Sequence, residues 1–159
     1  MADMLVRLYD LPPLEPAMAA MEKEGIVLRR ALTPEQHLLC AWVAEQFSSA
    51  WAAECAVAFA RQPVSCFIAL REKKIVGFSC YEVTCRDFFG PMGVDGDMRK
   101  KGVGKALLLA ALHAMKNEGY AYAVIGGVGP RDFYEKTAGA MEIEGSTPGI
   151  YKGMLREKT

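Results

Sequence analysis

The residues of this chain best suited to chemistry lie in one run, Val94-Asp95-Gly96-Asp97-Met98-Arg99-Lys100-Lys101-Gly102-Val103-Gly104-Lys105-Ala106-Leu107-Leu108. Four cations, Arg99, Lys100, Lys101 and Lys105, surround Gly102 and Gly104, and an apolar helical pattern begins directly afterwards. The first turn of a helix carries N–H groups without internal partners, and the aligned peptide dipoles make that end partly positive. Glycines at such a point let a ligand approach the main chain closely. The run therefore predicts a phosphate site, with pyrophosphate as its natural guest.

Three phosphate loops share glycines and cations, and spacing separates them. A P-loop needs G-x-x-x-x-G-K-[ST], but Gly104-Lys105 is followed by Ala106 and Arg99 stands where the first glycine belongs. A dinucleotide fingerprint needs G-x-G-x-x-G, but Leu107 follows where its third glycine belongs. The pattern that fits is [QR]-x-x-G-x-[GA], from Arg99 to Gly104, between a glycine-interrupted strand and a long apolar helix.

The elements that must carry this turn follow from pattern. Residues 1–25 read as an N-terminal extension laid on the surface: Leu11-Pro12-Pro13-Leu14-Glu15-Pro16 is held extended by its prolines, and Ala17 to Lys23 makes a short helix stopped by Gly25. Residues 26–159 read as a single domain. Ile26 to Leu32 is a strand. Thr33 caps a helix with Pro34 at its first position and Gln36 completing a capping box, and Ala50 to Arg61 forms a second helix. Val64 to Leu70 and Ile75 to Cys85 make a hairpin around Arg71-Glu72-Lys73-Lys74. Phe88 to Val94 is a strand that Gly90-Pro91 and Gly93 should distort. After the helix from Gly102 to Glu118 come a buried strand, Tyr120 to Ile125, and a short helix, Arg131 to Thr137. Met141 to Glu144 and Ile150 to Leu155 read as closing strands. This order predicts an α+β fold with a mostly antiparallel sheet of about seven strands and helices on both faces. The two strands joined by the Gly102 helix should run parallel.

With that order in place, V-x-x-x-x-R-x-x-G-x-G-x-x-L-L from Val94 to Leu108 and the later Phe133-Tyr134-Glu135-Lys136-x-x-Gly139-Ala140 resemble the GNAT superfamily of N-acetyltransferases. The resemblance covers roughly residues 26 to 156 and implies a sheet splayed at the cofactor site. It implies acetyl-coenzyme A as cosubstrate, its pyrophosphate held by the turn Arg99, Lys100, Lys101, Gly102, Val103, Gly104 and Lys105, with Arg99 acting mainly through its backbone. The backbone of Met92 and Val94 would pair with the pantetheine arm, and Tyr134 would donate a proton toward the coenzyme sulfur. Many members carry an asparagine just after the second splayed strand; here the stretch is Gly126-Gly127-Val128-Gly129-Pro130-Arg131-Asp132, so backbone groups or Arg131 would replace it.

Acyl transfer to an amine requires a deprotonated nitrogen, a polarised thioester oxygen and a proton for the departing thiolate. An alkyl ammonium has a pKa of about 10 and a thiol about 8.5, so deprotonation is the costlier need at neutral pH. Glu82, on the hairpin strand beside the distorted one, is the candidate base, with Glu54 and Asp87 as rivals; burial would raise such a carboxyl toward a useful range. Trp51, Glu45 and Glu54 are candidates for contact with the acceptor. The expected activity is acetyl transfer to a primary amine of a small molecule or peptide, by direct attack in a ternary complex. A catalytically silent coenzyme A-binding sensor of the same fold is the alternative.

The bulk properties exclude other classes. With 19 basic and 19 acidic residues the formal charge is zero, which argues against nucleic-acid or membrane-surface partners. The N-terminus carries no signal-peptide pattern, and no apolar run is long enough to span a bilayer. Five cysteines, an odd number without a C-x-x-C pair, fit thiols packed in a reducing, cytoplasmic compartment. His37 and His113 lie far apart, so no metal is expected. The closing strands and the N-terminal arm offer edges through which a homodimer could form.

Overall fold

The computed structural model describes residues 1–158. Seven strands, β1 (Met4–Arg7), β2 (Ile26–Arg30), β3 (Cys66–Arg71), β4 (Lys74–Tyr81), β5 (Phe88–Val94), β6 (Tyr122–Ile125) and β7 (Met141–Glu142), form one sheet in the order β2-β3-β4-β5-β6-β1-β7. Five α-helices accompany it: α1 (Glu15–Lys23), α2 (Gln36–Gln46), α3 (Ser49–Ala58), α4 (Val103–Asn117) and α5 (Arg131–Ala138). Every neighbouring pair of strands is antiparallel except β5 and β6, which α4 connects in parallel.

Strand alternation sorts the core into two layers. Cys66, Ile68, Phe78 and Cys80 face one side, where Leu39 and Val43 of α2 and Cys55 and Ala58 of α3 cover them. Ala69, Tyr81, Phe89, Ala123 and Ile125 face the other side, under α1, α4 and α5. Ten of the fifteen residues of α4 are buried, so it is a core helix rather than a surface one. Each fully buried leucine (Leu107, Leu108, Leu109, Leu112) stabilises the fold by about 1.5–3 kcal/mol. Ser79 Oγ donates to the Leu107 carbonyl (2.9 Å), a buried polar bond that draws the helix onto β4.

Three expectations need correction. The N-terminal segment does not lie on the surface: β1 is inserted between β6 and β7, and Met4, Val6 and Leu8 are at most 1% exposed. Its alternating apolar side chains complete the layer over Ala123 and Ile125, and β6 would otherwise expose an unpaired edge. The second closing strand is not formed: Gly149–Tyr151 is one 3-10 turn and 152–158 has no regular structure. Gly149 (φ +61) and Gly153 (φ +74) break extension there, and the place beside β6 is taken. At the entry to α2, Glu35 rather than Gln36 reaches back, accepting from the Leu32 N–H (2.7 Å) while paired with Arg29.

An internal β1 predicts that Met4→Ala costs about 2–5 kcal/mol of unfolding free energy, the range for emptying a buried site of that size. Met1→Ala, at a position 75% exposed, should cost almost nothing. Denaturant midpoints measure both, and equal midpoints would contradict the internal placement.

Candidate active site

The site begins where two parallel strands stop pairing. β5 and β6 are in register only at Phe88–Val124 and Phe89–Ile125. Beyond them β5 stays with β4, through Met92–Ser79, Gly93–Phe78 and Val94–Gly77. The chain after β6 turns instead to the N-terminal segment: Gly127 N–H donates to Asp3 Oδ1 (2.8 Å) and Val128 N–H to the Ala2 carbonyl (2.9 Å). Each strand is held from its far side, so a gap opens between them. Gly90, at φ +114, and Pro91, which has no N–H, sit at its apex.

The alternation of antiparallel hydrogen bonds decides which amides face this gap. Asp95 N–H donates to the Val76 carbonyl (2.8 Å), which makes Gly93 and Phe78 a hydrogen-bonded pair and leaves Met92 and Val94 in the non-bonded positions. The N–H and C=O groups of Met92 and Val94 therefore point away from β4, toward the gap. Behind β5, a Cβ at Gly93 would overlap the Phe47 ring at the end of α2, so the α2–α3 corner rests directly on the strand.

The cationic turn closes the open end of the gap. Asp95 accepts from the Asp97 N–H (3.0 Å), and Met98 is buried as an anchor. Lys100 (φ +73) and Gly102 (φ +83) are left-handed, a conformation natural for Gly102 and one that turns the chain into α4. Ala106 N–H is bonded to the Gly102 carbonyl (3.1 Å), so the amides of Val103, Gly104 and Lys105 have no partner within the helix. Arg99, Lys100, Lys101 and Lys105 are all exposed around them. Lys101 pairs at 3.8 Å with Glu24, the residue that caps the C-terminus of α1, an exposed contact of small energetic weight. A Cβ at Gly104 would stand 3.6 Å from Phe133 and 3.7 Å from Val94, so this glycine lies between β5 and α5.

Tyr134, in the first half of α5, packs edge-on against Phe89 and Phe133 at ring separations of 6.3 and 5.1 Å. Phe89 is the last residue paired with β6, so the phenol lies beside the apex of the gap. Burial alone pushes the Tyr134 hydroxyl up to about 12, which keeps it protonated at any physiological pH. Arg131 is held by Glu135 (2.9 Å) and Glu142 (2.8 Å), so its guanidinium is engaged within the protein.

The carboxylates divide into two groups. Glu82 follows the last residue of β4 with φ +61 and is 8% exposed; its carboxylate accepts from the Asp87 N–H and lies 3.5 Å from Arg61. Asp87, immediately before β5, has a buried Oδ1 without a hydrogen-bond partner. Burial, reinforced by the charge of Glu82, raises the Asp87 carboxyl to about 6. Glu54, on the opposite face, accepts from Thr84 Oγ1 (2.7 Å). Tyr151 reaches the same neighbourhood: its hydroxyl and the Phe88 ring both crowd Gly126, and burial followed by the charges of Glu54, Asp3 and Cys85 raises its pKa. Tyr151 was legible only as part of a closing strand, since its neighbours come from α3 and the ends of β5 and β6. Trp51 packs into the Phe47–Phe78 cluster, tilted on Phe47 and edge-on to Phe78, and Glu45 lines a separate groove of about 1110 Å³ between α2 and the β3–β4 turn.

Comparison with known proteins agrees with this geometry. A model of the acetyltransferase (GNAT) family matches residues 32–140, more than half of the chain. No curated protein matches. Among solved structures, the chain is similar to the GCN5-related glucosamine N-acetyltransferase region of a fungal multi-domain GH3 β-N-acetylglucosaminidase. That match has 16% identity and a TM-score of 0.72, over 89% of this chain and 19% of that one. A GCN5-related N-acetyltransferase from Sphaerobacter thermophilus gives 18% and 0.62, over 89% of this chain and 48% of that one. An aminoglycoside acetyltransferase from an uncultured soil metagenomic sample, in complex with trehalose, gives 17% and 0.53, over 86% and 93%. The chain thus spans about a fifth and about half of the first two, and at these identities the likeness concerns the fold. The family match, the splayed parallel pair and the glycine turn at the α4 N-terminus agree, and the chain belongs to the acetyltransferase (GNAT) family.

Proposed function

We propose that this protein transfers an acetyl group from acetyl-coenzyme A to a primary amine of a small molecule or peptide, by direct attack in a ternary complex. One observation carries the reading: outward-facing amides of Met92 and Val94 lead along a gap to the unpartnered amides of Val103, Gly104 and Lys105. A long arm ending in a pyrophosphate matches that line of donors. The arm would accept and donate along β5, and the phosphates would rest on the α4 N-terminus. Arg99, Lys100, Lys101 and Lys105 would screen and steer them. The acyl carbon would then lie near the apex, beside Tyr134.

The amine nitrogen attacks the thioester carbon, and collapse of the tetrahedral adduct expels the coenzyme thiolate, which takes a proton from Tyr134. A phenol held near 12 by burial is a proton donor throughout the working range. Glu82 is tied to Arg61 and to the Asp87 N–H, so we assign it to holding this loop, and assign proton acceptance, through water, to Asp87. A carboxyl near 6 is poised for that task at neutral pH. Glu54 and Tyr151 supply an acidic, partly apolar wall to the face opposite α4, suited to an ammonium-bearing acceptor. Amino sugars lead the acceptor panel, because two structural relatives are described as glucosamine and aminoglycoside acetyltransferases.

Acetyl-coenzyme A at a hundredfold excess over Kd should stabilise the fold by about 2.7 kcal/mol in thermal melts. Gly104→Val should abolish that shift by intruding on the phosphate line, while Gly104→Ala, whose Cβ meets only ordinary contacts and which the pattern admits at this position, should stay folded and keep most of it. Coenzyme-independent melting of the wild type would contradict the donor assignment. Binding without thioester loss across polyamines, amino sugars, amino acids and peptides would favour the sensor reading.

Tyr134→Phe should lower kcat by about 10²-fold or more with coenzyme affinity intact, the usual scale for losing a general acid. An unchanged kcat would remove the role.

Asp87 gives a pH signature. Its folded pKa of about 6 exceeds the ordinary 3.8, so its contribution to stability is present below 3.8 and is lost as pH rises through about 6. Asp87→Asn should therefore gain stability over the wild type above pH 6 and not below 3.8. The wild type should show a rise of kcat/KM with pH near 6, and the same variant should lose it. Parallel denaturation curves at both pH extremes would refute the raised pKa.

A further inference from the structure

Four of the five cysteines, on four different elements, meet in the layer between the sheet and the α2–α3 pair. Cys66 of β3 and Cys80 of β4 are directly opposite in register, and Cys55 of α3 descends onto them. All three are 0% exposed, and their Sγ atoms lie within 4.8 Å of one another. Cys40 of α2, half-buried, packs against the same core layer from its rim. No C-x-x-C pair exists in the sequence, but the fold assembles the convergence of thiols that such a pair would supply locally.

We propose that Cys55, Cys66 and Cys80, with Cys40 as the fourth donor, form a buried binding site for a thiophilic d10 metal ion, Zn2+ foremost. An all-sulfur donor set selects Zn2+ or Cu+ over the harder Mg2+, Ca2+ and Mn2+. A Zn–S bond of about 2.3 Å places tetrahedral sulfurs roughly 3.8 Å apart, so the three buried thiols need to contract by about an ångström at most, while Cys40 has to swing in from the rim. The thiols release their protons on loading.

The ion would tie α2 and α3 to the two strands beneath them. That junction carries Phe47 over Gly93 and Glu54 against Thr84, so metal loading would brace the acceptor-side wall without entering the reaction. This holds whether or not the acetyl-transfer reading is right, because it rests on different residues.

The test uses the full chain, reduced and freed of metal by a chelator, then titrated with Co2+ as a spectroscopic probe and with Zn2+ by competition. The expected result is one equivalent per chain, retained through gel filtration, with thiolate-to-cobalt charge-transfer bands, the visible bands of a tetrahedral ion and a raised melting midpoint. Cys66→Ala should abolish the bands. Cys40→Ala, a half-buried position that the fold should tolerate, should weaken Co2+ binding at least tenfold. Cys85→Ser, removing the exposed cysteine outside the cluster, should change nothing. A folded wild-type protein that retains no metal and develops no charge-transfer band would overturn the proposal, as would binding lost only on Cys85→Ser. Retention of Cu+ but not Zn2+ would keep the site and reassign its ion.

Discussion

The parallel pairing of β5 and β6 lasts for two residue pairs, and the site exists because it ends there. A parallel ladder satisfies both edges, so opening one exposes donors and acceptors that must find other partners. On β6 the partners are Asp3 and Ala2 of the N-terminal segment; on β5 the inner edge is bonded to β4 and the outer edge is left to the gap. The strand β1 is thus more than core filling. Ala2 and Asp3, just before it, hold the chain after β6 away from β5 at the opening.

The helix α4 converts that opening into a directed site. It must lie close to the sheet for its first turn to meet the end of β5, and Ser79 bonded to the Leu107 carbonyl, with Gly77 beneath the Leu107 side chain, brings it there. The same packing fixes Gly104 against Val94 and Phe133, uniting the turn, the distorted strand and α5 at one point. Tyr134 and the acidic pair Glu82–Asp87 are then placed by elements whose positions α4 and the β4–β5 hairpin already dictate.

Much of this was legible locally. The turn from Arg99 to Gly104, the apolar run of α4, the disruption at Gly90-Pro91 and the parallel crossover are encoded within a few residues of where they act. What was hidden depends on long-range contacts. Met4 to Arg7 are too few to show a period, and their partners, Ile125 and Glu142, lie far along the chain. The apolar residues of 150–155 resemble a strand, but the place for it is filled by β1 and Tyr151 is diverted onto Gly126. The raised pKa of Asp87 comes from burial beside Glu82, which spacing alone could not reveal. The convergence of Cys40, Cys55, Cys66 and Cys80 is likewise a product of the folded layers.

If the outer edge of β5 and the first turn of α4 serve a single ligand as one continuous line of donors, amide hydrogen exchange with and without coenzyme A reveals it most directly. Slowed exchange is expected on ligand addition at Met92, Val94, Val103, Gly104 and Lys105 together, with little change along β2 and β3. Protection confined to the groove between α2 and the β3–β4 turn, or at the α4 turn without β5, would contradict it.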